Sequence, residues 1–209
     1  SNSAGLFMGI SNAKSINFNN GINSSKINDM SLMFAGCDSL ISLDIENINS
    51  NDINSLYLTF MNCGSIENLN LSNLGTGNTK IMSGLFYNCT NLKNVDLSGK
   101  FNTFNAEFFD IMFQSCSSLE SLDLRNFTTI NLKNMSYVFA DCSSLKDVDL
   151  SSFNTSKVVD MEGVFASCSS LTGAHLSNFD TSNVKSFNSM FQDCKSLMYV
   201  NVSGFNTSN

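Results

Sequence analysis

The sequence predicts a stacked repeat in which each coil carries one short strand and one short helix. The first observation behind this is the cysteine series. The seven cysteines stand at 37, 63, 89, 116, 142, 168 and 194, with successive gaps of 26, 26, 27, 26, 26 and 26 residues and none outside the series. A side chain that returns once per period marks a repeat before it marks any chemistry, and such periods belong to solenoids whose units contact only their neighbours. The second observation is that two hydrophobic spacings alternate inside every unit. Leu119, Leu122 and Leu124 end on a two-residue step, the spacing of one strand face. Met161, Val164, Phe165 and Cys168 fall at i, i+3, i+4 and i+7, the helical spacing.

Taken in order, each unit starts at a Met or its substitute, reaches Phe three residues before Cys, and places Leu or Ile three residues after it. The Phe column is 34, 60, 86, 113, 139, 165 and 191, and the column after Cys is Leu40, Ile66, Leu92, Leu119, Leu145, Leu171 and Leu197. Stacking in every unit assigns these side chains to the core. Asn-Thr-Ser at 154–156 and Asp-Thr-Ser at 180–182 offer polar groups suited to capping a helix start. Strands of successive coils are expected to pair in parallel, about 4.8 Å apart. The single longer gap is explained by one extra residue at Gly99-Lys100, where glycine absorbs a bulge.

Residues 1–29 contain a worn copy without cysteine: a shift of 27 places Phe7 on Phe34, Ile16 on Leu43 and Phe18 on Ile45. The expected organisation is a degenerate N-terminal repeat or cap over 1–29, then seven repeats of about 26 residues over 30–209. The last repeat stops four residues past Phe205, so the array is expected to be cut from a longer protein and open at its C-terminus.

The unit Met135-Ser-Tyr-Val138-Phe139-Ala-Asp-Cys142-Ser-Ser-Leu145-Lys-Asp-Val148-Asp149-Leu150-Ser-Ser-Phe153-Asn-Thr155-Ser156 resembles the BspA-type leucine-rich repeat. Departures are Leu56, Phe109 and Phe187 in place of the first Met, and Gly173-Ala174-His175 at one strand start. The resemblance implies a right-handed α/β leucine-rich-repeat solenoid, with a parallel sheet on the concave face and short helices on the convex face. It also implies an exported bacterial surface protein with an adhesive, protein-binding role.

Composition narrows the function classes. A net charge of −7 and a pI near 4.5 argue against nucleic acid and anionic lipid as partners. No run approaches the ~20 apolar residues of a membrane span, and the N-terminus lacks signal-peptide blocks; a signal or anchor is expected outside this segment. The cysteines lack any Cys-x-x-Cys, and a linear ladder does not supply four tetrahedral ligands, so no zinc site is expected. They read as free, buried thiols beside Phe and Leu. The one histidine, His175, has no nucleophile placed by a motif, since Ser177 recurs as Ser151 and Ser203. No enzymatic activity and no cofactor are expected.

The outward strand positions carry the candidate contacts. They run Ser42/Asp44/Glu46, Asn68/Asn70/Ser72, Asn94/Asp96/Ser98, Ser121/Asp123/Arg125, Asp147/Asp149/Ser151, Gly173/His175/Ser177 and Tyr199/Asn201/Ser203. Asp96, Asp123 and Asp149 would stack as a row of carboxylates. Their repulsion must be relieved by hydrogen bonds, counter-ions or raised pKa values. The candidate partner-binding set is Asp96, Asp123, Arg125, Asp147, Asp149, His175, Tyr199 and Asn201, facing a host or matrix protein. The readings beside it are a face whose aspartates serve nearby backbone, a cation row, a passive spacer and a glycan-binding surface. End-to-end association through the open C-terminal rung is a further expectation.

Overall fold

The computed structural model describes residues 3–18, 27–45, 48 and 53–206. Glu46, part of the N-terminal copy (19–26) and the last three residues (207–209) lie outside the described residues. The chain forms stacked rungs of the leucine-rich-repeat type. Among the described residues six short strands line one side: β1 (Ser15–Asn17), β2 (Ser42–Asp44), β3 (Asn68–Asn70), β4 (Asn94–Asp96), β5 (Gly173–Ala174) and β6 (Tyr199–Val200). Pairing is parallel and in repeat register: Ile16 opposes Leu43, Leu69 opposes Val95, and Ala174 opposes Val200.

The sheet is not continuous. Its strands form three two-stranded pieces, β1-β2, β3-β4 and β5-β6. Between β4 and β5 the ladder is reduced to an isolated bridge, Asp149 to His175, and to single bonds such as Lys146 N–H to the Glu120 carbonyl. The extra residue lies at this break. Gly99 takes φ +63°, and a Cβ there would sit 2.6 Å from the Ser72 carbonyl oxygen, so only glycine lets the longer unit fold over its neighbour.

The expected convex helices are absent: no helix occurs among the described residues. Each segment before Cys is instead a run of three-residue turns. In one rung the Met33, Ala35 and Cys37 N–H groups bond back three residues, to Met30, Leu32 and Phe34. The intervening Met30, Leu32, Phe34 and Gly36 N–H groups bond forward to Ser55, Tyr57, Thr59 and Met61 of the next rung. Two residues per turn, here Leu32 (φ 58°) and Gly36 (φ 71°), adopt the left-handed conformation that a helix excludes. A helix spends every N–H within its own segment, whereas this turn divides them between its own rung and its neighbour. Two consecutive turns also place Met161, Val164, Phe165 and Cys168 on the inner side, which reproduces helical spacing without a helix; all four are fully buried.

The helix-cap reading of the Asn-Thr-Ser segments is corrected in the same way. Thr129 and Thr155 are buried, and each hydroxyl bridges rungs. The Thr129 hydroxyl donates to the Asn154 carbonyl (3.0 Å) and accepts from the Asn154 N–H (2.7 Å). Thr103 makes the same pair of bonds with Thr128, at 3.0 and 2.8 Å. A single hydroxyl thus does the work of a peptide group in a β-bridge. Asn154 caps a two-residue turn, its Oδ1 accepting from the Ser156 N–H at 3.0 Å.

The core follows the predicted columns. Phe34, Phe60, Phe86, Phe113, Phe139 and Phe165 are fully buried, and their rings stack with centroids 5.1 to 5.8 Å apart. Six cysteines are buried and Cys194 is half-buried; all seven are free thiols. They do more than fill space. Each thiol donates to the carbonyl of the phenylalanine one rung back: Cys63 to Phe34 (3.2 Å), Cys89 to Phe60 (3.0 Å), Cys142 to Phe113 (3.1 Å). Burial pushes the Cys89 and Cys168 thiols up to about 12, so they stay protonated as donors.

Candidate protein-binding face

The sheet side carries the predicted site residues. Asp96 closes β4, where its Oδ1 accepts the Ser98 N–H at 3.0 Å. Asp149 does the same with Ser151 at 2.9 Å, and so do Asn70 with Ser72 (2.9 Å) and Asn201 with Ser203 (3.0 Å). One column therefore accepts Asp or Asn for a single reason: an Oδ1 satisfies the N–H two residues on, where the strand ends.

These bonds set the charge state of Asp96, Asp123 and Asp149. The Ser98 hydroxyl and N–H hold Asp96 below the ordinary carboxylate range. The Ser151 hydroxyl and N–H hold Asp149 low, with smaller help from His175 and Arg125. Asp123 is driven down to about 2 by the Arg125 side chain first and the Arg125 N–H second. The Arg125 Nε and Nη2 lie 2.9 and 2.7 Å from the two Asp123 carboxylate oxygens, a bidentate pair. All three carboxylates are thus held in the charged form, their values lowered by local donors rather than raised by mutual repulsion.

The structure brings Asp123, Arg125 and Asp149 together around a shallow depression also lined by Ser121, Leu122 and Leu124. Asp147 and His175 meet at 3.9 Å, an ion pair whenever the imidazole is protonated. Tyr199 stands opposite Gly173 in the β5-β6 pair. Among the described residues no strand pairing links β4 to the rung of Asp123. A second depression, lined by Lys93, Asn94, Ser118, Glu120 and Ser121, lies at that break. Along the flank, Glu67 pairs with Lys93 (2.9 Å) and Glu120 with Lys146 (2.6 Å), so charges of opposite sign alternate up the column.

Sequence reasoning missed Met198. It is 83% exposed beside Tyr199 at 67%, and no other large apolar side chain among the described residues is so open. The signal was its column, which runs Ile41, Glu67, Lys93, Glu120, Lys146 and Thr172 before it: exposed apolar residues flank a mostly charged series. Among the described residues no three His, Cys, Asp or Glu side chains gather to hold a metal ion, and no helix is long and apolar enough to cross a membrane.

A family described as "Mycoplasma protein of unknown function, DUF285" matches this chain over residues 2–122 and again over 107–209. No curated protein matches it. Among solved structures, an internalin from Listeria monocytogenes is similar at 19% identity and a TM-score of 0.38, over 81% of this chain and 43% of the internalin. A leucine-rich repeat protein from Bacteroides ovatus is similar at 15% identity and 0.37, over 93% and 68%. A leucine rich cell surface protein from Faecalibacterium prausnitzii follows at 13% and 0.40, over 94% and 75%. This chain thus spans less than half of the internalin's length. Likenesses at this level carry no information about partners.

Proposed function

We propose, from the premise that the chain belongs to the DUF285 family, that it is a non-enzymatic protein-binding repeat module displayed on the outer surface of the cell. Its contact surface is the polar sheet face, and its partner is a host or matrix protein that presents basic groups around an apolar side chain. The observation that carries this is an outward face that joins exposed Met198 and Tyr199 to the rung of His175 and, one rung further, to the ionised carboxylate of Asp149. Methionine and tyrosine are enriched at the cores of protein interfaces, where charged residues form the rim. A row of fixed negative charge steers a basic partner and makes the association salt-sensitive. The BspA-type repeat supports the surface setting.

The test is binding of immobilised extracellular-matrix proteins to three forms of the chain. Asp96→Asn/Asp123→Asn/Asp149→Asn removes the charge while keeping an Oδ1, as Asn70 and Asn201 do naturally. It is expected to slow association about tenfold or more and to flatten the salt dependence. Met198→Ala/Tyr199→Ala is expected to speed dissociation. Binding unchanged by both variants would leave the spacer reading in its place.

A further inference from the structure

Between the buried threonine of each rung and its bridge residue runs a short stretch whose outward surface differs from the strand side. Its backbone is a ladder: the Glu107 N–H donates to the Lys80 carbonyl, Lys133 to Glu107, Val159 to Lys133 and Lys185 to Val159, at 2.8 to 2.9 Å. Equivalent side chains therefore stand in one straight column, about 4.8 Å apart per rung. Lys80, Lys133 and Lys185 belong to this column, and Lys157 stands two residues before Val159. All four lysines are exposed.

Few carboxylates offset them. Glu107 is held between Lys80, at 3.6 Å, and Lys133. Asp160 and Asp180, at the borders, accept the Glu162 and Ser182 N–H groups of their own turns at 2.9 and 3.0 Å. The Lys157 Nζ bonds the Asn131 Oδ1 at 2.8 Å. Neither Lys157 nor Lys185 pairs with a carboxylate among the described residues. The same stretch opens apolar side chains on four successive rungs: Ile81, Phe104, Ile130 and Val159 are each more than a third exposed.

We infer that this flank seats the protein on the surface of an anionic phospholipid bilayer, its lysines meeting headgroup phosphates and its apolar side chains entering the acyl boundary. The mixture of residues selects the occupant. Lysine is depleted from the cores of protein interfaces, and a linear polyanion gains nothing from exposed phenylalanine and isoleucine. A bilayer surface takes both, because lysine stems lie along apolar surface while their ammonium groups reach the phosphates. The net charge of −7 argues against anionic lipid for the molecule as a whole. Exposed charges farther apart than about 8 Å are screened at physiological salt, however, so this cluster acts locally. The strand-side residues take no part in the contact, and the inference is independent of the proposed protein partner.

Vesicle co-sedimentation of the 209-residue chain tests it, with vesicles of phosphatidylglycerol and phosphatidylcholine in equal parts against phosphatidylcholine alone. Binding is expected to the first and not to the second, and to weaken as salt rises. Lys157→Gln/Lys185→Gln removes the two lysines without a carboxylate partner and is expected to lower partitioning about twentyfold, at about fivefold per lysine. Phe104→Ser/Ile130→Ser is expected to abolish the binding that persists at high salt. Both variants alter exposed side chains, and thermal melts check that they fold. Asp96→Asn/Asp123→Asn/Asp149→Asn, which disables the strand-side face, is expected to bind the vesicles at least as well as the parent. No binding to the anionic vesicles, equal binding to both kinds, or binding that survives Lys157→Gln/Lys185→Gln overturns the inference. Capture by heparin together with vesicle binding unaffected by Phe104→Ser/Ile130→Ser overturns it in favour of a linear polyanion.

Discussion

The turn side and the strand side of this molecule are built from the same rungs but held by different means. On the turn side, bridges run unbroken from Asp29 through Ser55, Ile81, Phe108, Asn134 and Asp160 to Ser186. Thiol bonds and stacked rings add to them. On the strand side the ladder falls into three pairs with polar depressions at the gaps. Cohesion thus resides where side chains are buried and identical, and variation is tolerated where they face outward. The strand side can change its residues from rung to rung because the stack does not depend on it.

Titration separates the two sides most strongly. Folded-state values of the buried thiols lie above the ordinary 9.0, so their stabilisation is complete below pH 9 and is lost as pH rises toward about 12. Each such thiol then costs about 1.4 kcal/mol per pH unit in that window, and several act together. The melting temperature is expected to fall steeply between pH 9 and pH 11, and Cys116→Ser/Cys142→Ser should make the fall shallower. On the strand side, Asp123 has a depressed value, so its contribution is present above about pH 4 and is lost as pH falls through about 2. Its exposure makes that loss small. An acid limb steeper than the alkaline limb would reverse the comparison.

Next in size, Phe139→Ala removes a fully buried ring stacked between Phe113 and Phe165 and is expected to cost about 3–5 kcal/mol in urea unfolding. An unchanged midpoint would break the assignment of cohesion to this column. Thr129→Val deletes the hydroxyl that serves both peptide groups of Asn154, at about 1–3 kcal/mol. The smallest effect belongs to Asp149→Asn, expected within about 0.5 kcal/mol of the parent because Oδ1 and its turn are retained. A larger loss would mean that the Asp149 charge itself supports the stack.

The columns of Phe34, Cys37 and Leu40 were legible in the sequence because identical burial in every rung demands identical side chains. The turn was misread as a helix because three-residue turns and 3.6-residue helices both place Met161, Val164, Phe165 and Cys168 inward. The distinguishing signal stood one residue before each cysteine. Gly36, Asn62, Asn88, Asp141 and Asp193 include the residue types that tolerate φ above zero, and all five adopt it. The aspartates invited a reading as contacts, yet their interchange with Asn70 and Asn201 pointed to an acceptor role at the strand end. The breaks in the sheet left little trace, since backbone pairing is not written in which side chain faces out. Gly99 marks one of them.

The forward bonds of the turns have an electrical consequence. Each places a peptide N–H toward the C-terminal end of the stack, from Gly5 donating to Ser31 through to Ser167 donating to Gln192. The peptide dipoles of this column therefore add along the stacking axis. Within this column the N–H side faces the C-terminal direction of the stack, the reverse of an α-helix. Strand-side amides such as Lys146 N–H to the Glu120 carbonyl and Met198 N–H to the Thr172 carbonyl point the opposite way, so the two sides of the stack are polarised in opposite senses.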